Sequence, residues 1–196
     1  MRKFFTVAAA ALLVSAGAFA QSTTVGDTIS VTATVQGHFT FTIDQATFNF
    51  GNVNAAGDLD AGVTDVSVTP AGSSATYTND TGSVTWSCES APRRDVVVAL
   101  TSGTTDLAYT YDTTVYTSAP AADANILKVR IPTTDHGNGT WQNFADTTSR
   151  TLVPSIEVGN GTNAIGGQLN FQLTVADTTP LGGYVWTVKL DATGSL

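Results

Sequence analysis

Side chains that alternate between apolar and polar constrain this chain more than any other feature of it. Ile29, Val31, Ala33 and Val35 fall on one face, with Thr28, Ser30, Thr32 and Thr34 between them. The same period of two runs through Phe39, Phe41 and Ile43, through Val84, Trp86 and Cys88, and through Leu169, Phe171, Leu173 and Val175. It closes in Tyr184, Trp186, Val188 and Leu190. Such spacing puts one row of side chains in a core and the other in water when the backbone is extended. No window sustains apolar residues at i, i+3, i+4 and i+7, so almost no helix is expected.

Short strands follow one another between Gly, Asn, Asp and Pro turns. They are predicted at Asp65–Thr69, Ala75–Thr78, Ser83–Cys88, Asp95–Thr101, Leu107–Tyr111, Ile126–Ile131, Thr151–Val158, Gln168–Val175 and Tyr184–Ala192. Gly51-Asn52 and residues 54–62 read as loop, and 177–183 as a turn-rich connection. The pairs Gly166-Gly167 and Gly182-Gly183 precede strands and read as turns. This pattern predicts an all-β chain, a single antiparallel immunoglobulin-like β-sandwich.

One strand over 29–43 would run about 50 Å at ~3.3 Å per residue, far beyond the usual length. A hairpin through Gln36-Gly37-His38 is a second reading, opposing Val35 to Phe39 and Ala33 to Phe41. A third is an N-terminal arm, residues 21–36, that pairs with something else. A turn at Asp44-Gln45 would oppose Phe41 to Phe48 and Phe39 to Phe50.

The N-terminus predicts export. Arg2 and Lys3 precede an apolar run from Phe4 to Ala16, and Ala18-Phe19-Ala20 fits a small-x-small cleavage site. Residues 1–20 are therefore expected to be a cleaved signal peptide, with the β-sandwich domain over 21–196. No later segment is long and apolar enough to span a membrane, so no transmembrane anchor is expected. All 16 acidic residues lie beyond the signal, whereas two of the 8 basic ones lie within it. The remaining 6 basic residues leave the mature chain at net −10. That field disfavours nucleic acid and anionic lipid. Cys88 is the single cysteine, so no internal disulfide is available. Because it shares a strand face with Val84 and Trp86, it reads as a small core residue.

Nothing in the sequence assembles a catalytic group, and no enzyme is expected. The two histidines, His38 beside a turn and His136 in the loop Asp135-His136-Gly137-Asn138-Gly139, have no nucleophile motif near them. No cofactor is expected. The one metal candidate is calcium, on Asp58, Asp60 and Asp65 around Gly62, with Asn79-Asp80-Thr81-Gly82 as a weaker place. Turn-forming Asp is the plainer reading of both segments. Trp141, in the tract Thr133–Trp141, either stacks on a sugar ring as a ligand contact or caps the core.

Three segments resemble those of exported fimbrial subunits. Thr28-Ile29-Ser30-Val31-Thr32-Ala33-Thr34-Val35 resembles the N-terminal donor strand of colonisation-factor-type pilins, and Pro180–Leu190 resembles their closing Gly-x-Tyr strand. Gly82–Cys88, after Phe48–Val53, is similar to the spore coat protein U group of pilin-like domains, from which the chain departs in having one Cys. The resemblance covers about a quarter of the mature chain. It implies an incomplete sandwich whose groove accepts the arm of the next subunit, with Ile29, Val31, Ala33 and Val35 filling alternate pockets. It also implies identical subunits as partners and a periplasmic chaperone guarding the open edge. The expected function is an exported structural or adhesive surface protein, in the periplasm, at the cell surface or secreted. The competing expectation is a secreted non-catalytic binding module for carbohydrate or a surface-layer partner.

Overall fold

The strands build two long antiparallel ladders, each made of strand pairs that run end to end. In a computed structural model of the chain, the described residues are 38–45, 47–103, 106–111, 114–116, 126–144, 150–159 and 164–195. All belong to one compact unit, Gln36–Leu196; the other unit, Met1–Val35, lies outside the described residues, and so does the arm 21–36.

In the first ladder, β3 (Ser74–Asn79) and β4 (Thr85–Ala91) follow one another along a single line. Opposite them run β11 (Ile165–Gln168) and β12 (Asn170–Ala176), in a register that passes from Ile165↔Cys88 to Gln168↔Thr85 and on from Phe171↔Asn79 to Ala176↔Ser74. β1 (His38–Ile43) flanks β4, and β2 (Ser67–Pro70) flanks β3. Beyond β12 lie β8 (Leu127–Arg130) and β9 (Gln142–Asn143).

The second ladder repeats the device. β5 (Arg94–Leu100) and β6 (Leu107–Tyr111) are collinear, and β13 (Gly183–Trp186) and β14 (Leu190–Ser195) run antiparallel to them. β10 (Arg150–Val158) and β7 (Thr114–Tyr116) flank the other side. β10 has two register shifts around Pro154. A proline without an N–H belongs on such an edge strand, where a bulge absorbs it. The bulge turns both Leu152 and Val153 into the core.

The alternation read in the sequence explains the burial. Val84, Trp86 and Cys88 all point inward and are buried, together with Val96, Val98 and Leu100 of β5 and Leu127 and Val129 of β8. They join one apolar cluster that draws on both ladders. Each fully buried aliphatic or aromatic side chain there contributes on the order of 2 kcal/mol through lost hydration. Every strand pair is antiparallel, and the described residues contain no α-helix, only 3-10 pieces such as the turn Thr133–Asp135.

Several sequence expectations are corrected. Asp44-Gln45 does not close a hairpin, and Phe41 and Phe39 lie opposite Cys88 and Ser90 rather than Phe48 and Phe50. Asp44 ends the β1–β4 ladder instead: its N–H donates to the Thr85 carbonyl (3.1 Å) and its carboxylate accepts the Thr85 N–H (2.7 Å). The chain then leaves the sheet for the strandless segment 47–66. Gly166 and Gly167 are not a turn but the middle of β11. A Cβ on Gly166 would lie 2.3 Å from the Trp86 carbonyl oxygen, so the neighbouring strand approaches too closely for any side chain. The strand expected over 168–175 breaks at Leu169, whose N–H turns to the Val84 carbonyl (2.9 Å) as the chain changes partner from β4 to β3. The strand expected over 184–192 is interrupted at 187–189, opposite the gap between β5 and β6. Two short strands, β7 and β9, were not legible in the sequence.

Candidate functional site

A cleft of about 1100 Å³ opens between the segment 47–55, the inner face of β12 and the stretch 179–188. Small-molecule pockets occupy roughly 300–1,000 Å³, so this one lies at the upper end of that range. Phe171, Leu173 and Val175 form its floor. Phe48 stacks on Phe171 (centroids 5.6 Å apart) and meets Phe50 edge-on (5.0 Å). The opposite wall carries Tyr184 stacked on Trp186 (5.4 Å, 11° between planes), with Tyr109 packed against Tyr184 (4.8 Å) behind them.

Hydrogen bonds fix both walls. The hydroxyl of fully buried Tyr77 lies 2.8 Å from the carbonyl oxygens of Asn54 and Asp58 and accepts the Asn54 N–H at 3.0 Å. On the other side, Tyr109 donates to the Leu181 carbonyl (2.5 Å) and Tyr184 to that of Pro180 (2.8 Å). Ser102 bridges the gap between β13 and β14. Its hydroxyl donates to the Thr187 carbonyl (3.2 Å) and accepts the Lys189 N–H (2.6 Å).

The cleft lies along β13 and β14, which are edge strands among the described residues. Thr187 donates to Asp106 and Lys189 accepts from Thr101, so the amides of 187 and 189 face β5–β6. Alternation then turns the main-chain groups of Trp186 and Val188 to the other side, where no strand pairs with them among the described residues. Their side chains point inward yet stay half-buried, whereas Val96, Val98 and Leu100 on the paired strand are fully buried. On the outer surface of the same edge Val185 is 65% exposed and Leu181 78%. No Lys, Arg, Asp or Glu interrupts the edge from Thr178 to Val188. An edge so free of charge is an unusual exposure for a folded domain.

The acidic candidates are turn builders. Asp60 accepts the N–H (2.7 Å) and side-chain amide (3.0 Å) of Asn52. Asp58 accepts the side-chain amide of Asn54 (2.9 Å), whose own oxygen takes the N–H groups of Gly57 and Asp58. Asp65 offers its main-chain carbonyl to Asn79 (3.0 Å). The three carboxylates do not come together, and among the described residues no group of three His, Cys, Asp or Glu is placed to hold a metal.

Trp141 is half-buried just before β9, and the Arg130 guanidinium stacks on its ring, 4.3 Å from the centroid. His38 and His136 are exposed, the latter at φ 69° closing the 3-10 turn. Cys88 is buried, and burial pushes its thiol pKa up, with the Glu89 charge acting the same way. Ile29, Val31, Ala33 and Val35 lie outside the described residues.

The cleft itself was not foreseen as a place, because its walls come from segments far apart in sequence. The signal available was Phe48 and Phe50, two aromatic residues in a stretch with no strand partner. No protein-family model, curated protein or solved structure matches this chain. Among the described residues no helix is long and apolar enough to cross a membrane.

Proposed function

We propose that the chain is an exported, non-catalytic structural or adhesive surface protein, an immunoglobulin-like β-sandwich left open along one edge and completed by strand addition from a second copy. The observation behind this reading is the apolar cleft beside β13, an edge strand among the described residues, with Tyr184, Trp186 and Val188 half-buried above it. An extended segment laid there pairs its main chain with the edge and sends alternate side chains into the cleft. The sequence of this chain contains such a segment, with Ile29, Val31, Ala33 and Val35 on one face. In this reading residues 1–20 direct export, residues 21–36 are the donor arm, and a periplasmic chaperone covers the edge before assembly.

Size-exclusion chromatography of the mature protein with and without residues 21–36 tests the proposal. Polymers that disappear on truncation support it. A monomer in both forms sinks it in favour of a secreted binding module, a reading that the stacked Arg130–Trp141 pair keeps in view.

A further inference from the structure

The cleft is not the only surface of this domain that departs from its surroundings. The sequence holds 16 acidic residues, yet none falls in β2, β3, β12, β8 or β9. These five strands form one continuous sheet. The cross-strand register aligns Ser67, Thr78, Gln172, Lys128 and Asn143 in one row, and Thr69, Thr76 and Thr174 in the next. Directly opposed residues share a face. Because Tyr77, Leu173 and Val129 point into the core, these rows point out. The outer face is thus an array of largely half-buried hydroxyls and amides, and its two charges, Lys128 and Arg130, are both positive.

Those two cations are also unspent. Among the described residues the ion pairs are Arg93 with Glu157 and Lys189 with Asp106, and Arg150 is buried against main-chain carbonyls. Lys128 and Arg130 enter no ion pair there. Among the described residues Arg130 makes no hydrogen bond either: its Nε is buried, with the indole beneath the guanidinium, and has no partner. Stacking holds the guanidinium flat while its terminal nitrogens stay unbonded. Such a fork is fixed in advance for bidentate binding of a carboxylate. Lys128 stands on the same face two residues away, about 6.6 Å along the strand.

We infer that this face binds an acidic polysaccharide whose uronate carboxylates pair with Arg130 and Lys128, while Gln172, Asn143 and the threonine rows meet its hydroxyls. Trp141 is the positioning residue that presents Arg130. A neutral sugar stacked on the face of Trp141 that Arg130 covers would have to displace the guanidinium already there. The net negative charge of the chain does not oppose a local contact, since a field is screened beyond about 8 Å at physiological ionic strength. A stiff duplex nucleic acid spans many such lengths and would meet the acidic surroundings.

The test is affinity electrophoresis and calorimetry of the mature protein with polygalacturonate, neutral dextran and duplex DNA. Polygalacturonate is expected to bind, less tightly as NaCl rises, and the other two not. Arg130→Gln and Lys128→Gln should each weaken binding about tenfold through loss of a charge-assisted contact. Trp141→Ala should do the same, and Trp141→Tyr, which keeps a stacking ring, should retain affinity. Circular dichroism of every variant checks the fold, and Lys128→Gln serves if Arg130→Gln fails to fold. Absence of polygalacturonate binding, equal binding of DNA, or indifference to Lys128→Gln overturns the inference. It stands apart from strand addition, because removing residues 21–36 is expected to leave polygalacturonate binding unchanged.

Discussion

The buried hydroxyl of Tyr77 accepts the Asn54 amide at 3.0 Å and lies 2.8 Å from the carbonyl of the same residue, so one core side chain of β3 fixes the wall of the cleft. Tyr77→Phe keeps the ring and removes only the oxygen. It leaves the Asn54 N–H and the carbonyls of Asn54 and Asp58 without that partner. A loss of about 1–3 kcal/mol is expected in urea unfolding, since groups that lose a buried partner bear the full desolvation cost. Hydrogen exchange should speed up at Asn54 while the amides of β5 keep their protection.

Val188→Pro probes the cleft edge directly. Its N–H faces away from β5–β6, so the substitution takes nothing from the resident ladder and removes one donor from an incoming strand. Unfolding free energy should change by about 1 kcal/mol or less. Polymers of the mature protein should shrink to monomers on size exclusion. Unaltered polymers with an unaltered fold would place the assembly contact elsewhere.

How far the sequence reaches is clearest in Tyr184, Trp186 and Val188. Their alternation told of an inward face, and the inward face exists. It could not tell that these side chains would stay half-buried, because burial depends on a neighbour that local pattern does not encode. Trp86 and Cys88 show the opposite case, where the pattern and the fully packed surroundings agree. The pairing of Phe41 with Phe48 failed for a related reason. Cross-strand preference favours aromatic pairs, but Asp44 bonds to Thr85, 41 residues on, and that tertiary contact decides the ladder. Gly166 misled because a glycine pair signals a turn locally, while here it serves a close approach of β4. The Arg130–Trp141 stack was half legible: Trp141 drew notice as an aromatic, and its partner lay on another strand.

Arg150 tests how the collinear ladders are joined. Its guanidinium is buried, with one terminal nitrogen donating to the carbonyl of Ser102 (2.8 Å) and Leu100 (3.4 Å), and the other to that of Asn143. It therefore ties the end of β5 to β9 across the two ladders. Arg150→Leu keeps much of the volume and strips three buried carbonyls of a donor. A destabilisation of about 3 kcal/mol is expected by urea titration. Arg150→Lys should recover only part of it, because an ammonium cannot reproduce the planar fork.

Acid sensitivity follows from two carboxylates at ladder ends. The Thr85 N–H holds Asp44 below the ordinary carboxylate value of 3.8, and the bond to Lys189 holds Asp106 below it as well, helped by the Gly103 N–H. A carboxyl that is more acidic in the folded state contributes stability above its unfolded value. That contribution fades as pH falls through the lowered folded value. Thermal midpoints should thus be flat from neutrality down to about pH 5 and drop below pH 4. Asp106→Asn should flatten part of the drop and lower the neutral-pH midpoint, since it removes the charge that Lys189 meets beside the Ser102 bridge. A midpoint of Asp106→Asn that matches the parent at neutral pH and falls as steeply in acid would show that the pair contributes nothing to holding β13 and β14 in line.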